Sequence, residues 1–406
     1  MTTAKHYDIV VVGARCAGAS VSFLLAQSGL SVLMLDAAAF PSGTMSTLFL
    51  QPQGVSLLRE WGFVPDALGT GCPPLRDIVY RAGDTVLRGA LGDADEFGCA
   101  PARTDLDRIL VEGALSYGVE FHDRARVHEL VEADGRVCGL RYRVAGSAAS
   151  VEVRCSLVIG ADGMRSTVAR LAGTADLHRA APASCVYYAL HPAIDHTVRL
   201  FEDDGVYVSH IPTAGDQAVI AAYFPQSRFP EVRRDARRHY AAALAAFPEV
   251  CAHLAKTGGE AEGFTGTGDQ QNFLRRASGP GWSLLGDAAH HKDSITALGM
   301  SDAFAQAAAV GEVVSDTLHD PGLLDKALEQ CWADQCDVLM AHGTAAASMA
   351  SLQLTEQRRE LLRQVVACGL EKEFFTVMEG RSPLEDLMDM IDTRRAAAVG
   401  TGGCHL

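Results

Sequence analysis

Tyr7-Asp8-Ile9-Val10-Val11-Val12-Gly13-Ala14-Arg15-Cys16-Ala17-Gly18 is an apolar, β-branched run that breaks into a glycine-bearing turn. After it, Ala19 to Gln27 favour a helix, Gly29 stands where a helix C-cap glycine belongs, and Ser31 to Leu35 is a second apolar run ending in Asp36. The order predicts one βαβ unit. Its helix N-terminus offers unpaired N–H groups and a partial positive charge to a pyrophosphate, and the acid closing the second strand suits a ribose hydroxyl. Asp36 follows Gly13 at close to the ~20-residue interval of dinucleotide turns. The middle glycine of G-x-G-x-x-G is Arg15. That arginine either blocks the close approach glycine permits or adds a cation beside the phosphates, and the second reading is preferred.

At 406 residues the chain is longer than one ordinary domain. Hydrophobic residues make up 48% and charged residues 21%, so the composition is globular. A net charge of −15 argues against a nucleic-acid surface. The first strand begins almost at once, without a signal-peptide pattern, and the 11 cysteines include no C-x-x-C pair. Both features point to free thiols and a cytoplasmic location. Cys16 reads as a small buried side chain packing the first helix. Val338 to Leu354 is apolar but interrupted by His342, Gly343 and Thr344, which argues against stable membrane insertion. It reads as a buried or dimer-facing helix, with Met340 and Met349 as core filler, in a monomer or homodimer.

Two distant segments repeat the theme of the first. Cys155 to Gly160 is an apolar strand closing on Ala161-Asp162-Gly163, with a helix from Arg165 to Ala172, and Trp282 to Leu285 closes on Gly286-Asp287, with a helix from about Met300 to Leu318. Between them, short β-branched and aromatic runs over 183–225, separated by Asp-Asp-Gly and Ala-Gly-Asp turns, read as antiparallel strands, and 76–98 has the same texture. The expected architecture is α/β. A discontinuous Rossmann-type dinucleotide domain (1–75, 99–180 and 275–322) carries an antiparallel β-sheet substrate domain (76–98 and 181–274), C-terminal helices (323–399) and a flexible tail (400–406).

With three motifs in this order, the chain resembles the class A flavoprotein monooxygenases of the para-hydroxybenzoate hydroxylase fold, over most of residues 5–320. Gly13 to Gly18 resembles that family's FAD-pyrophosphate turn. Asp162-Gly163 resembles its Asp-Gly motif for cofactor and pyridine nucleotide, and Gly286-Asp287 its Gly-Asp motif. Arg103 resembles the arginine preceding a helix that flanks the flavin. The Gly-Ala-Arg-Cys-Ala-Gly turn and the run His291 to Gly299 are similar to a bacterial FAD-dependent oxidoreductase branch related to the geranylgeranyl reductase group.

The resemblance implies FAD and NAD(P)H as cofactors, O₂ and a small-molecule substrate as partners, and oxygenation through a flavin C4a-hydroperoxide. The implied cofactor contacts are Gly13, Ala14, Arg15, Cys16, Ala17, Gly18, Asp36, Arg103, Asp162, Gly286, Asp287, Ser294, Gly299 and Met300. The chain departs from the family at Ser294, where many members have proline, and at Thr296, where glycine is usual.

The implied substrate chamber lies between flavin and second sheet. Period-two alternation then offers Tyr188, His210 and Tyr223 to orient or deprotonate a phenol or amine. Lys292 either contacts a phosphate or the isoalloxazine edge, or is solvated. His290 and His291 are adjacent with no third ligand at metal spacing, so no metal is expected. The leading reading is a monooxygenase acting on a small to medium, aromatic metabolite. An isoprenoid reductase shares the fold, but such enzymes carry a Cys-Gly pattern where this chain has Met45-Ser46-Thr47. A flavin halogenase is disfavoured because Trp61, Trp282 and Trp332 form no Trp-x-Trp motif, and a non-catalytic flavoprotein is the remaining class.

Overall fold

A computed structural model describes residues 5–43, 48–257 and 261–401. Met45-Ser46-Thr47 and the tail from 402 onward lie outside them. Strand β1 (Lys5–Val12) buries Ile9, Val10 and Val11 completely, helix α1 (Cys16–Gln27) follows the turn, and β2 (Val32–Leu35) is buried throughout. Gly29 takes φ +86° just past the helix end, the left-handed position that favours glycine.

The first sheet is parallel at its centre. β1 lies between β2 and Val151–Gly160, and Trp282–Leu284 adds beyond Val151–Gly160. Its register decides where the motifs meet. Val12 pairs with both Leu35 and Gly160, and Gly160 pairs with Leu284. The segments that follow these strands, with Gly13, Asp36, Asp162 and Asp287, therefore emerge side by side from one carboxyl edge, where open α/β sheets bind ligands. Backbone bonds from Gly13 N–H to the Leu35 carbonyl (2.7 Å), from Ala161 N–H to Val12 (2.7 Å) and from Leu285 N–H to Gly160 (2.8 Å) extend the ladder past the strand ends.

The second sheet runs Glu262–Thr267, Ser184–Pro192, Gln217–Pro225, Val206–Pro212, Val198–Asp203, Asp77–Ala82, Thr85–Ala90. One neighbour pair departs from the antiparallel expectation: Asp77–Ala82 runs parallel to Val198–Asp203. The two strands come from separate excursions out of the first domain, so no tight hairpin dictates their relative direction. The helix after Gly286-Asp287 spans Gly299–Thr317, and the next, Pro321–Ala350, continues the chain onto the second sheet.

The second sheet buries both faces. On one, Tyr187, Val208, Ile220 and Phe224 pack with Tyr240, Leu244 and Phe247. On the other, Val186, Leu200, Tyr207, Ile211 and Tyr223 share a core with Leu362, Val365, Phe374 and Phe375 from the C-terminal helices Glu356–Cys368 and Glu371–Met378. The side chain of Met349, expected to be filler, faces a chamber beneath that cover.

Candidate active site

Glycine is required twice in the first turn for lack of space. Gly13 has φ +107°, and a Cβ there would lie 2.3 Å from the Ala161 carbonyl oxygen; on Gly18 it would lie 1.8 Å from the Gly13 carbonyl oxygen. The turn is thus pressed against the loop after Gly160. Ala14 is fully buried and its N–H donates to Asp36 Oδ2 at 2.9 Å, while Ala38 N–H donates to Oδ1 at 2.8 Å. Asp36 therefore clamps the turn to the end of β2 as well as facing the cleft edge.

Arg15 occupies the N-cap position of α1 in extended conformation, and its guanidinium reaches Ser42 Oγ at 3.2 Å. No side chain caps the helix, so its first amides remain for an anion. Cys16 and Ala17 are buried beneath it. Burial pushes the Cys16 thiol up to about 12, so it stays protonated and packs rather than reacts.

Across the edge, Gly286 takes φ +57° and donates its N–H to Gln306 Oε1 at 2.7 Å. A Cβ on Gly286 would sit 3.0 Å from that of Ala17, so the two motifs pack directly. Asp287 is exposed between buried Gly286 and Ala288. Gly299, also exposed, starts the Gly299–Thr317 helix, and a Cβ on it would come to 4.0 Å from Asp287 Oδ1. Met300 is half-buried in the same turn. Arg103 binds Asp107 at 3.0 Å, and its buried Nε has no partner among the described residues. A glycine cradle, two helix N-termini without side-chain caps, an exposed acid and an orphaned guanidinium nitrogen form a donor and acceptor set that fits an extended dinucleotide such as FAD.

Asp162 behaves differently from the expected cofactor acid. Its carboxylate folds back to accept from Ser166 Oγ and from the Thr167 (2.6 Å) and Val168 (3.3 Å) N–H groups. It fastens the start of the short helix Thr167–Leu171. Lys292 is neither solvated nor at a phosphate. It is buried against Asp302 Oδ2, and His342 Nδ1 holds Asp302 Oδ1 at 3.1 Å. His291 is bonded to the Gln271 carbonyl through Nδ1, and His290 is buried.

The run 293–297 links this edge to the second sheet. Asp293 is buried; its Oδ2 accepts from Ser184 Oγ at 2.6 Å and its Oδ1 from Gln270 Nε2 and Ile295 N–H, both at 3.1 Å. Burial pushes its carboxyl up to about 6. A folded value above the unfolded one, about 3.9, means that the folded state holds the extra proton, so this group's contribution to stability falls as pH rises from about 4 to 6. Asp293→Asn is expected to remove that slope, which urea melts across this pH range would check; an unchanged slope would refute the assignment.

Between this loop and the second sheet lies a narrow chamber with a free volume of about 40 Å³, below the about 300–1,000 Å³ common for small-molecule sites, so a ligand enters only as lining side chains move aside. Ile78, Val198, Leu200, Tyr207, Ser209, Ile211 and Tyr223 form the sheet side, Ser294 to Ala297 the loop side, and Met349, Phe375, Met378 and Glu379 the C-terminal side. Phe49, Gln51 and Leu91 complete it. Tyr223 O–H and Ser294 Oγ are 3.1 Å apart. Burial raises the Tyr223 pKa, so it can orient a substrate group as a phenol but is a poor base.

The other two candidates do not line the chamber. Tyr188 shares the Tyr223 face, but is half-buried outside the cavity wall. His210 points to the opposite face, because alternation gives the chamber Tyr207, Ser209 and Ile211 instead. Its Nε2 accepts from Ile194 N–H at 3.2 Å, and burial pushes its pKa down to about 4. Sequence reasoning missed Tyr207 and Ser209, which one step of register would have supplied. It also missed Gln51 and Glu379, which no local pattern marks.

A family model described as FAD binding domain matches residues 6–339. The chain is similar to digeranylgeranylglycerophospholipid reductase 1 of Methanococcoides burtonii, at 27% identity over 332 residues, covering 80% of this chain and 78% of the reductase. It is also similar to 6-methylpretetramide 4-monooxygenase of Streptomyces rimosus, at 25% identity over 331 residues, covering 80% and 79%. Among solved structures, the flavin-dependent brominase Bmp2 superposes with a TM-score of 0.79 at 17% identity, over 98% of this chain and 99% of the brominase. That likeness in fold extends through the C-terminal helices that cover the chamber.

Proposed function

The chain belongs to the FAD binding domain family, and we propose that it is an FAD-dependent, NAD(P)H-consuming monooxygenase that oxygenates a small to medium, aromatic metabolite. One observation carries this reading: Ser294, Thr296 and Ala297 belong to the loop that enters the Gly299–Thr317 helix and also line the enclosed chamber. FAD, when bound along the carboxyl edge, supplies the redox chemistry and the activation of O₂. The chain supplies position and dryness. Gly13, Gly18, Asp36, Arg103 and Asp287 would hold the cofactor, and the uncapped start of α1 would face its pyrophosphate. Tyr223 and Ser294 would orient a hydroxyl or carbonyl of the substrate. The aliphatic and aromatic walls exclude the water that would divert the reaction.

The reductase relative and the apolar chamber favour a second reading, an isoprenoid reductase that hydrogenates a chain without oxygen. The two separate by experiment. A monooxygenase should carry yellow flavin, consume NAD(P)H and O₂ together in the presence of a phenol, indole or polyketide, and yield a product heavier by one oxygen atom. Anaerobic hydrogenation of a prenyl substrate would replace the first reading with the second. A colourless protein that takes up no FAD would remove both.

A further inference from the structure

We propose that the chamber takes an uncharged, largely apolar molecule that gathers its polar groups at the loop end, around Tyr223, Ser294 and Thr296; this rests on reading the chamber as the substrate site. The argument is electrostatic. Among the described residues no lysine, arginine or histidine lines the cavity, and its one carboxylate, Glu379, is 3% exposed.

The cations bonded to residues of the wall or close to it in sequence are already paired. Arg381 is shared by Asp93 (3.1 Å), Glu96 (3.0 Å) and Glu379 (3.2 Å), three carboxylates around one guanidinium. Glu379 Oε1 also accepts from Gly92 N–H at 2.8 Å. Arg358, on the helix Glu356–Cys368 that covers the chamber side of the sheet, donates to Glu202 at 3.0 Å and to Tyr80 at 3.1 Å. Lys292 is held by Asp302. A carboxylate or phosphate on the ligand would therefore leave water without a free counter-charge. Burial of an uncompensated ion costs enough to weaken binding by at least about tenfold.

A cluster of polar groups lies at the loop end of the cavity. Tyr223 O–H and Ser294 Oγ form their 3.1 Å pair there. Beside them Thr296 Oγ1 and Gln51 Oε1 are buried with no partner among the described residues, although Gln51 Nε2 donates to the Thr296 carbonyl at 3.3 Å. The remaining wall, from Ile78 through Leu200 to Phe375 and Met378, is mostly hydrocarbon, aromatic ring and thioether, interrupted by Ser209, the Tyr207 hydroxyl and Glu379. A ligand with one polar pole and an apolar body satisfies both ends, and its polar pole then lies against the loop that leads into the Gly299–Thr317 helix.

Equilibrium dialysis of the FAD-loaded protein against naphthol and against the hydroxynaphthoate that differs only by a carboxylate tests this. Naphthol should bind at least about tenfold more tightly. Tyr223→Phe should weaken naphthol by about two- to tenfold, the worth of one hydrogen bond, with FAD content unchanged. Ser294→Ala should weaken naphthol by a similar factor, read at matched FAD content, and serves if Y223F does not fold. Equal or tighter binding of the carboxylate, binding of neither probe, or full naphthol affinity in both variants would overturn the proposal. Dialysis reads binding alone, so selective uptake of naphthol without any oxidation would retire the monooxygenase reading and leave this one standing.

Discussion

Gly18→Ala and Gly13→Ala should each yield protein that no longer retains FAD. The added methyl would lie 1.8 Å from the Gly13 carbonyl oxygen in the first case and 2.3 Å from the Ala161 carbonyl oxygen in the second. Both obstacles are backbone atoms, so no side chain can rotate away. Overpacking of this kind costs about 1–3 kcal/mol, and at position 13 the φ of +107° adds strain for any residue with a Cβ. With about 1.4 kcal/mol per tenfold, FAD affinity should fall by roughly a hundredfold. The measurement is the visible flavin absorbance that stays with the protein through desalting, alongside a thermal melt to separate loss of cofactor from loss of fold. Gly69→Ala is the control, since nothing lies within 4 Å of a Cβ added there. If G13A and G18A keep flavin as well as G69A does, the turn is not the cofactor cradle.

Lys292→Met should cost about 3–5 kcal/mol of folding stability, the range for removing one partner of a buried ion pair. Lys292 and Asp302 have side chains only 4% and 8% exposed. Burial alone would raise the Asp302 carboxyl, but Lys292 and His342 outweigh it and hold it well below the usual carboxylate range. A carboxyl depressed in the folded state contributes stability that is complete above its unfolded value of about 3.9 and is lost as pH falls through the folded one. The K292M deficit should therefore be largest near neutrality and shrink in acid, where Asp302 can take up a proton. Denaturant midpoints at neutral and acid pH would show it. The double variant K292M/D302N removes both charges and should recover part of the loss; a single variant as stable as the parent would show that the pair is only tolerated.

The consequence of that pair reaches beyond stability. Asp302 lies in the first turn of the Gly299–Thr317 helix, and His342, which holds its other oxygen, also lies 3.2 Å from the Gly380 carbonyl through Nε2. Gln53 Nε2 donates to the neighbouring Glu379 carbonyl at 2.6 Å. The segment closing the chamber is thus tied to the helix that begins beside Asp287.

Much of the carboxyl edge of the first sheet was legible because its signals are local. A β-branched run, a turn glycine and an acid at a strand end constrain φ, ψ and hydrogen bonding within a few residues, so Gly13, Asp36 and Gly286-Asp287 declared themselves by pattern. Local pattern also misled. Asp162 ends a strand as Asp287 does, yet Ser166, Thr167 and Val168 capture its carboxylate four to six residues on. Lys292 read as either a cofactor contact or a solvated lysine, whereas Asp302 and His342 provide the compensating groups without which a buried ammonium would be prohibitively costly.

Within the substrate sheet the alternation was visible but not its phase. Period two puts His210 on one face and Ser209 on the other, and only the helices packed against each face decide which one looks into the chamber. The sequence by itself therefore determined the βαβ start, the three strand-end motifs and the family they resemble. Tertiary structure alone decided which side chains those motifs leave open and what encloses the chamber. The reason is distance along the chain: Gln53 meets Glu379 across 326 residues and Gln51 meets Thr296 across 245, and contacts of that kind follow from packing of whole elements, which no local spacing encodes.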